Sequence, residues 1–115
     1  MYIIMTYNNK LRDKYPDKIP VVINKDKSCK TLEDIKPLKY LIQEYITVRQ
    51  LLFLVRKRIQ VDKNESLYLY VTKPKSSKTL CMLQADDSLI HIYNLYHNDE
   101  DGVLYISYTS EDVFG

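Results

Sequence analysis

Few side chains in this sequence have the type and spacing to do chemistry. His91 and His97 share one helical stretch, "SLIHIYNLYH", without metal-ligand spacing and with no cysteine nearby. They read as satisfied surface or boundary histidines. Cys29 and Cys81 stand far apart with no C-x-x-C pattern, which reads as reduced thiols in a cytosolic setting. The carboxylates of "DDS" and "NDEDG" fall at a helix start and in a turn, where acidic residues serve structure. With only 2 glycines, one of them the last residue, the chain has no phosphate-cradling loop. A nucleophile elbow and an H-E-x-x-H pattern are also lacking. Arg56, Lys57 and Arg58 carry the charge to meet phosphates or an acidic peptide, yet such a run is ordinarily a solvated helix end. The balance points away from an enzyme, and it calls for no cofactor or metal.

The last residue is the remaining candidate. The sequence ends "TSEDVFG", and a terminal glycine is either where a chain happens to stop or what acyl-carrier chemistry selects. Without a Cβ, and with a permissive backbone, the Gly115 carboxylate can thread a narrow activating site. "TSEDV" is polar enough to stay outside a core. A chain ending here is expected to be competent for conjugation without prior cleavage.

Composition bounds the rest. The 115 residues suit one domain with a real core. With 17 basic against 15 acidic residues the net charge is +2, too balanced to imply a nucleic-acid partner. The start, "MYIIMTYNNK", has no basic n-region or cleavage site and does not read as a secretory signal. The run "LLFLV" at residues 51–55 is far too short to span a bilayer. Tyr2 rules out myristoylation, and no C-terminal cysteine is present for prenylation.

Hydrophobic periodicity orders the elements. "NNKLRDKYPDK" reads as a short amphipathic helix ended before Pro16, with Leu11 and Tyr15 four apart. "KIPVVI" is a β-branched strand whose Pro20 suits an edge or a strand start. A lysine-rich connection leads to "KYLI", a second strand pairing with the first as a long-looped hairpin. "ITVRQLLFLVRKRI" is the clearest element: Thr47 and Gln50 form a capping-box pattern, and Val48, Leu51, Leu52, Val55 and Ile59 keep helical spacing. "SLYLYV" alternates as a strand, and a polar loop precedes the helix "SLIHIYNLYH", capped by Asp87 or Ser88. "DEDG" then turns into the last strand, "VLYISY". This succession predicts an α+β fold, the ubiquitin-like β-grasp, with a helical extension over 1–18, a core over 19–108 and a tail over 109–115.

"KYPDKIPVV", "KYL", "TVRQLLFLVRKRI" and "DEDGVLYISYTSEDVFG" occur in the order seen in the autophagy-related protein 8 family, the GABARAP-like and light-chain-3-like ubiquitin-like modifiers. The sequence resembles that family over residues 11–115. The resemblance implies that Gly115 is joined to phosphatidylethanolamine on autophagosomal membranes by activating and conjugating enzymes, and released by a deconjugating cysteine protease. The protein would be cytoplasmic until lipidated. It also implies capture of cargo receptors through aromatic-x-x-aliphatic motifs, which add as a strand beside "KYL".

Carried over residue by residue, the resemblance puts a first pocket at Leu11, Lys18, Pro20, Val22, Lys39, Leu41 and Val103. A second falls on Tyr40, Ile42, Ile46, Leu51, Leu54 and Val55. Lys18, Lys39 and Arg58 would attract acidic residues flanking the motif. Val22, Leu51 and Val55 are core in any β-grasp, whereas Lys39 and Tyr40 together suit an exposed docking edge. The sequence departs from the family at Tyr7 (usually acidic), Gln43 (usually proline), Leu51 (usually aromatic) and Val103 (usually Phe), and its 72–87 connection is longer. Two other readings fit the same residues: a modifier joined to a protein lysine, as in the autophagy-related protein 12 family, and a β-grasp adaptor that never uses its glycine.

Overall fold

The computed structural model describes residues 2–3, 11–36, 38–62, 64–73 and 79–110. In chain order the elements are β1 (Tyr2–Ile3), α1 (Leu11–Lys14), β2 (Lys18–Lys25), β3 (Lys39–Gln43), α2 (Val48–Ile59), β4 (Tyr68–Thr72), β5 (Thr79–Met82), α3 (Leu89–Tyr96) and β6 (Leu104–Thr109). They build one mixed sheet in the order β1-β3-β2-β6-β4-β5. The two central strands, β2 and β6, run parallel from Val21↔Leu104 to Lys25↔Tyr108. The antiparallel pair β2–β3 extends one side and β4–β5 the other.

The helices begin where local chemistry starts them. At Thr47 the side chain accepts the Gln50 N–H, and the Gln50 side chain accepts the Thr47 N–H in return, a complete capping box. Two otherwise orphaned donors of α2 are satisfied this way. Ser88, not Asp87, caps α3 by accepting the His91 N–H. At its other end α2 stops on Gln60, which takes the left-handed conformation usually left to glycine (φ 54°, ψ 40°).

One face of the sheet holds the core. Ile19, Val21 and Ile23 of β2, Tyr40 and Ile42 of β3, Leu69 and Val71 of β4, and Leu104, Ile106 and Tyr108 of β6 pack with Val48, Leu51, Val55 and Ile59 of α2. Leu89, Ile92 and Tyr93 of α3 complete it. Removing this much apolar surface from water is the main driving force for the fold.

Three features correct the order read from sequence. Among the described residues the helix before Pro16 is Leu11–Lys14, which leaves Tyr15 outside; the expected start at residues 8–10 lies outside the described residues. Pro20 sits in an interior strand rather than an edge, which is tolerated because the β6 ladder begins one residue later, at Val21. Two further strands appear. β5 lies inside the stretch read as a polar loop, and β1 pairs with β3 through Tyr2↔Leu41 and Ile3↔Tyr40. Both are too short to display a period of two, so only their partners reveal them.

Candidate functional site

The β3 strand is short, with three successive apolar residues, Tyr40, Leu41 and Ile42, all buried. Such a run shows no alternation because both faces of the strand are covered. Tyr40 and Ile42 point into the α2 side of the core, whereas Leu41 lies on the other face with its ladder partner Pro20. Val22, on that second face, pairs directly with Lys39.

The residues of the expected first pocket are thus brought together, but as a covered surface. Leu41, Val22 and Val103 expose 3%, 8% and 1% of their surface, and Pro20 is buried. Lys18 is buried too, and its Nζ lies 3.3 Å from Asp17 Oδ2, so its charge is already engaged. Leu11 opens α1, and its side chain lies outside the described residues, as does Tyr7. The neighbouring Arg12 ties α1 down. Its Nη1 donates to the carbonyls of Lys18 (2.6 Å) and Pro16 (2.8 Å), and it meets Glu44 Oε2 at 3.3 Å.

The expected second pocket divides. Tyr40, Ile42, Leu51 and Val55 are each at most 1% exposed and belong to the core. Tyr40 is therefore not half of an exposed pair with Lys39; its ring is sealed beneath α2, with the Arg58 guanidinium 6.0 Å from its centroid. Ile46 and Leu54, half-buried, instead open onto a cavity of about 490 Å³ that they line with Arg49, Gln50 and Phe53. These last three escaped the sequence reading. The available signal was Phe53, an aromatic residue off the apolar stripe of α2 and 60% exposed in the fold, where large apolar side chains mark contact surfaces more often when they border a groove. Lys57 Nζ lies 5.2 Å from the Phe53 ring and Arg49 reaches Asp86 at 3.3 Å, so the rim is basic and aromatic.

The edge of β3 is not open. β1 occupies it at Leu41 and Tyr40, the middle of the strand expected to receive a ligand.

The tail leaves from the opposite end of β6. Asp26 N–H donates to the Tyr108 carbonyl at 2.8 Å, and Ser110 Oγ lies 2.8 Å from Thr31 Oγ1 and 3.7 Å from Cys29 Sγ. Burial raises the Cys29 thiol, but hydrogen bonds with Ser110, Thr31 and Leu32 outweigh it and bring the thiol down to about 7. The Tyr70 hydroxyl donates to Asp26 at the same junction. Gly115 lies outside the described residues. His97 is satisfied as expected: it stacks on Tyr93 with centroids 4.7 Å apart, and its Nδ1 lies 2.7 Å from the Tyr93 carbonyl.

A central parallel strand pair flanked by two antiparallel arms, closed over one long capped helix, defines the ubiquitin-like β-grasp class. The model of the family described as "Autophagy protein Atg8 ubiquitin like" matches residues 5–115. Autophagy-related protein 8a of Arabidopsis thaliana is 36% identical over 111 residues, covering 96% of this chain and 84% of that relative. The crystal structure of Trypanosoma brucei ATG8 superposes with a TM-score of 0.72 at 29% identity, over 92% of this chain and 84% of the other. This chain belongs to the Atg8 family of ubiquitin-like autophagy proteins.

Proposed function

We propose that the protein is a membrane-conjugated modifier, joined through Gly115 to the amine of phosphatidylethanolamine. The observation that carries this reading is that the family match runs to residue 115, where the sequence has glycine. No helix among the described residues is long and apolar enough to cross a membrane, so attachment by a lipid amide supplies what the fold does not. The amide brings two acyl chains at once, and two chains anchor stably where one is marginal. In this chemistry an activating enzyme adenylates the Gly115 carboxylate at the expense of ATP, releasing pyrophosphate. An enzyme thiol displaces AMP to give a thioester, which is relayed to the conjugating enzyme. The lipid amine then attacks the carbonyl and the thiol leaves. A deconjugating cysteine protease reverses the attachment, and the protein moves between cytoplasm and autophagosomal membrane.

The second half of the proposal is receptor capture. A peptide with an aromatic-x-x-aliphatic motif would add as a strand to β3 and place an anchor in the cavity bordered by Ile46 and Leu54. Lys39 and Arg58, beside the strand, would favour acidic flanks.

Reconstitution tests the first half. Purified protein, activating and conjugating enzymes, ATP and phosphatidylethanolamine vesicles should give a product whose intact mass includes the lipid. Gly115→Ala should give none while leaving the circular dichroism unchanged, since its added Cβ sits where the carboxylate must enter the activating site. Lipid on the alanine variant would end the proposal. An isopeptide to a second protein, recovered from cells, would replace it with protein conjugation.

A further inference from the structure

Among the described residues, strand β1 covers β3 at Leu41 and Tyr40. The stretch it shields is Tyr40-Leu41-Ile42, which has no charge, no proline and no glycine. An uncovered edge of that composition is a template for any extended chain, and proteins commonly cover such edges. Among the described residues this cover is a ladder of two residue pairs, against five between β3 and β2 on the other flank. An incoming strand pairing along Lys39–Gln43 would need the same edge positions that β1 occupies at Leu41 and Tyr40, so the two cannot pair there at once. In sequence, Tyr2 also begins an aromatic-x-x-apolar run, Tyr2-Ile3-Ile4-Met5, the spacing proposed for external ligands.

We propose that Tyr2–Ile3 is an internal occupant of the docking edge, which an external peptide strand must displace in order to bind. The inference rests on the receptor-capture reading and adds a regulatory step to it. Because the occupant belongs to the same chain, its local concentration is fixed and high whatever the protein concentration. The observed affinity for a peptide is then the intrinsic affinity multiplied by the fraction of molecules with the edge open. Anything that draws the N-terminal strand elsewhere raises receptor affinity without touching the pockets.

The test uses the full chain and a double variant, Tyr2→Pro with Ile3→Pro. Proline supplies no N–H and fixes φ, so neither residue can sustain the ladder. The probe is a synthetic peptide with a Trp-x-x-Leu core preceded by acidic residues, titrated by calorimetry. Amide hydrogen exchange of β3 is followed in the absence of peptide. The variant should bind about tenfold more tightly, corresponding to an edge open in about a tenth of unmodified molecules. The β3 amides directed away from β2 should exchange faster by a similar factor. Unchanged exchange would overturn the proposal by showing that β1 does not protect the edge. Equal affinities with faster exchange would overturn the competition alone. Protection that grows with protein concentration would overturn it in favour of a strand donated by a second copy. Absence of binding by both forms would overturn the docking reading itself, and the competition with it.

Discussion

The hydroxyl of Tyr108 accepts the amide N–H of Ile35 at 2.8 Å, across 73 residues of sequence. It donates in turn to the Glu33 carbonyl. Tyr108 is fully buried and Ile35 nearly so. One phenolic oxygen thereby fastens the lysine-rich connection between β2 and β3 onto the last strand, β6. Tyr108→Phe keeps the ring but leaves the Ile35 N–H without this partner. An orphaned buried donor costs about 1–3 kcal/mol, so the urea midpoint should fall accordingly with an unchanged m-value. An unaltered midpoint would mean that water replaces the hydroxyl at no cost.

The same phenol belongs to a set that makes the fold sensitive to alkali. Burial, then the adjoining Asp101, pushes the Tyr105 hydroxyl up to about 12. Burial does the same for Tyr108, also to about 12, with Asp34 adding to it against the opposing Ile35 hydrogen bond. Tyr70 is raised by burial and by its bond to Asp26, and Tyr93 by burial against the opposing charge of Arg12. A folded-state pKa above the unfolded value of 10.0 contributes stability that is complete below pH 10 and is lost as pH rises toward about 12. Circular dichroism should therefore collapse in that window, together with a cooperative rise in phenolate absorbance. Gradual titration of the eleven tyrosines with constant ellipticity would contradict this.

The ends of α2 predict opposite outcomes. Thr47→Ala removes the side-chain half of the capping box, the acceptor of the Gln50 N–H, and should cost about 1 kcal/mol. Gln60→Gly relieves a non-glycine residue held at φ 54° and should stabilise by up to about 1 kcal/mol. Thermal unfolding of the two variants against the parent measures the difference in sign.

Leu54 and Leu51 separate docking from packing. Leu54→Ala removes an anchor surface from the cavity wall and should weaken a motif peptide by about tenfold, equivalent to about 1.4 kcal/mol, with little loss of stability. Leu51→Ala excavates the core beneath it and should cost about 2–5 kcal/mol of stability. Calorimetric titration and denaturant melts of both variants decide the matter. Tyr40→Ala is the wrong probe of the groove, because Tyr40 is fully buried and its loss would unfold the protein before it informed on binding.

What the sequence determined by itself was local. The capping box at Thr47, the apolar stripe of α2 and the alternation in β4 and β6 each depend on residues within a few positions of one another, so they are written in order along the chain. The resemblance to the Atg8 family rests on such segments and on the terminal glycine. What only the tertiary structure decided was long-range. "KYLI" reads as a strand, but three apolar residues in a row hold no record of which side chain faces α2 and which faces Pro20. That choice, which seals Tyr40 and leaves Ile46 and Leu54 at a cavity, was made by register with β2. The cover laid by Tyr2–Ile3 and the strand status of Thr79–Met82 likewise depend on a partner's open edge. A pair of residues with no periodicity of its own becomes a strand only when another strand's hydrogen bonds are waiting for it.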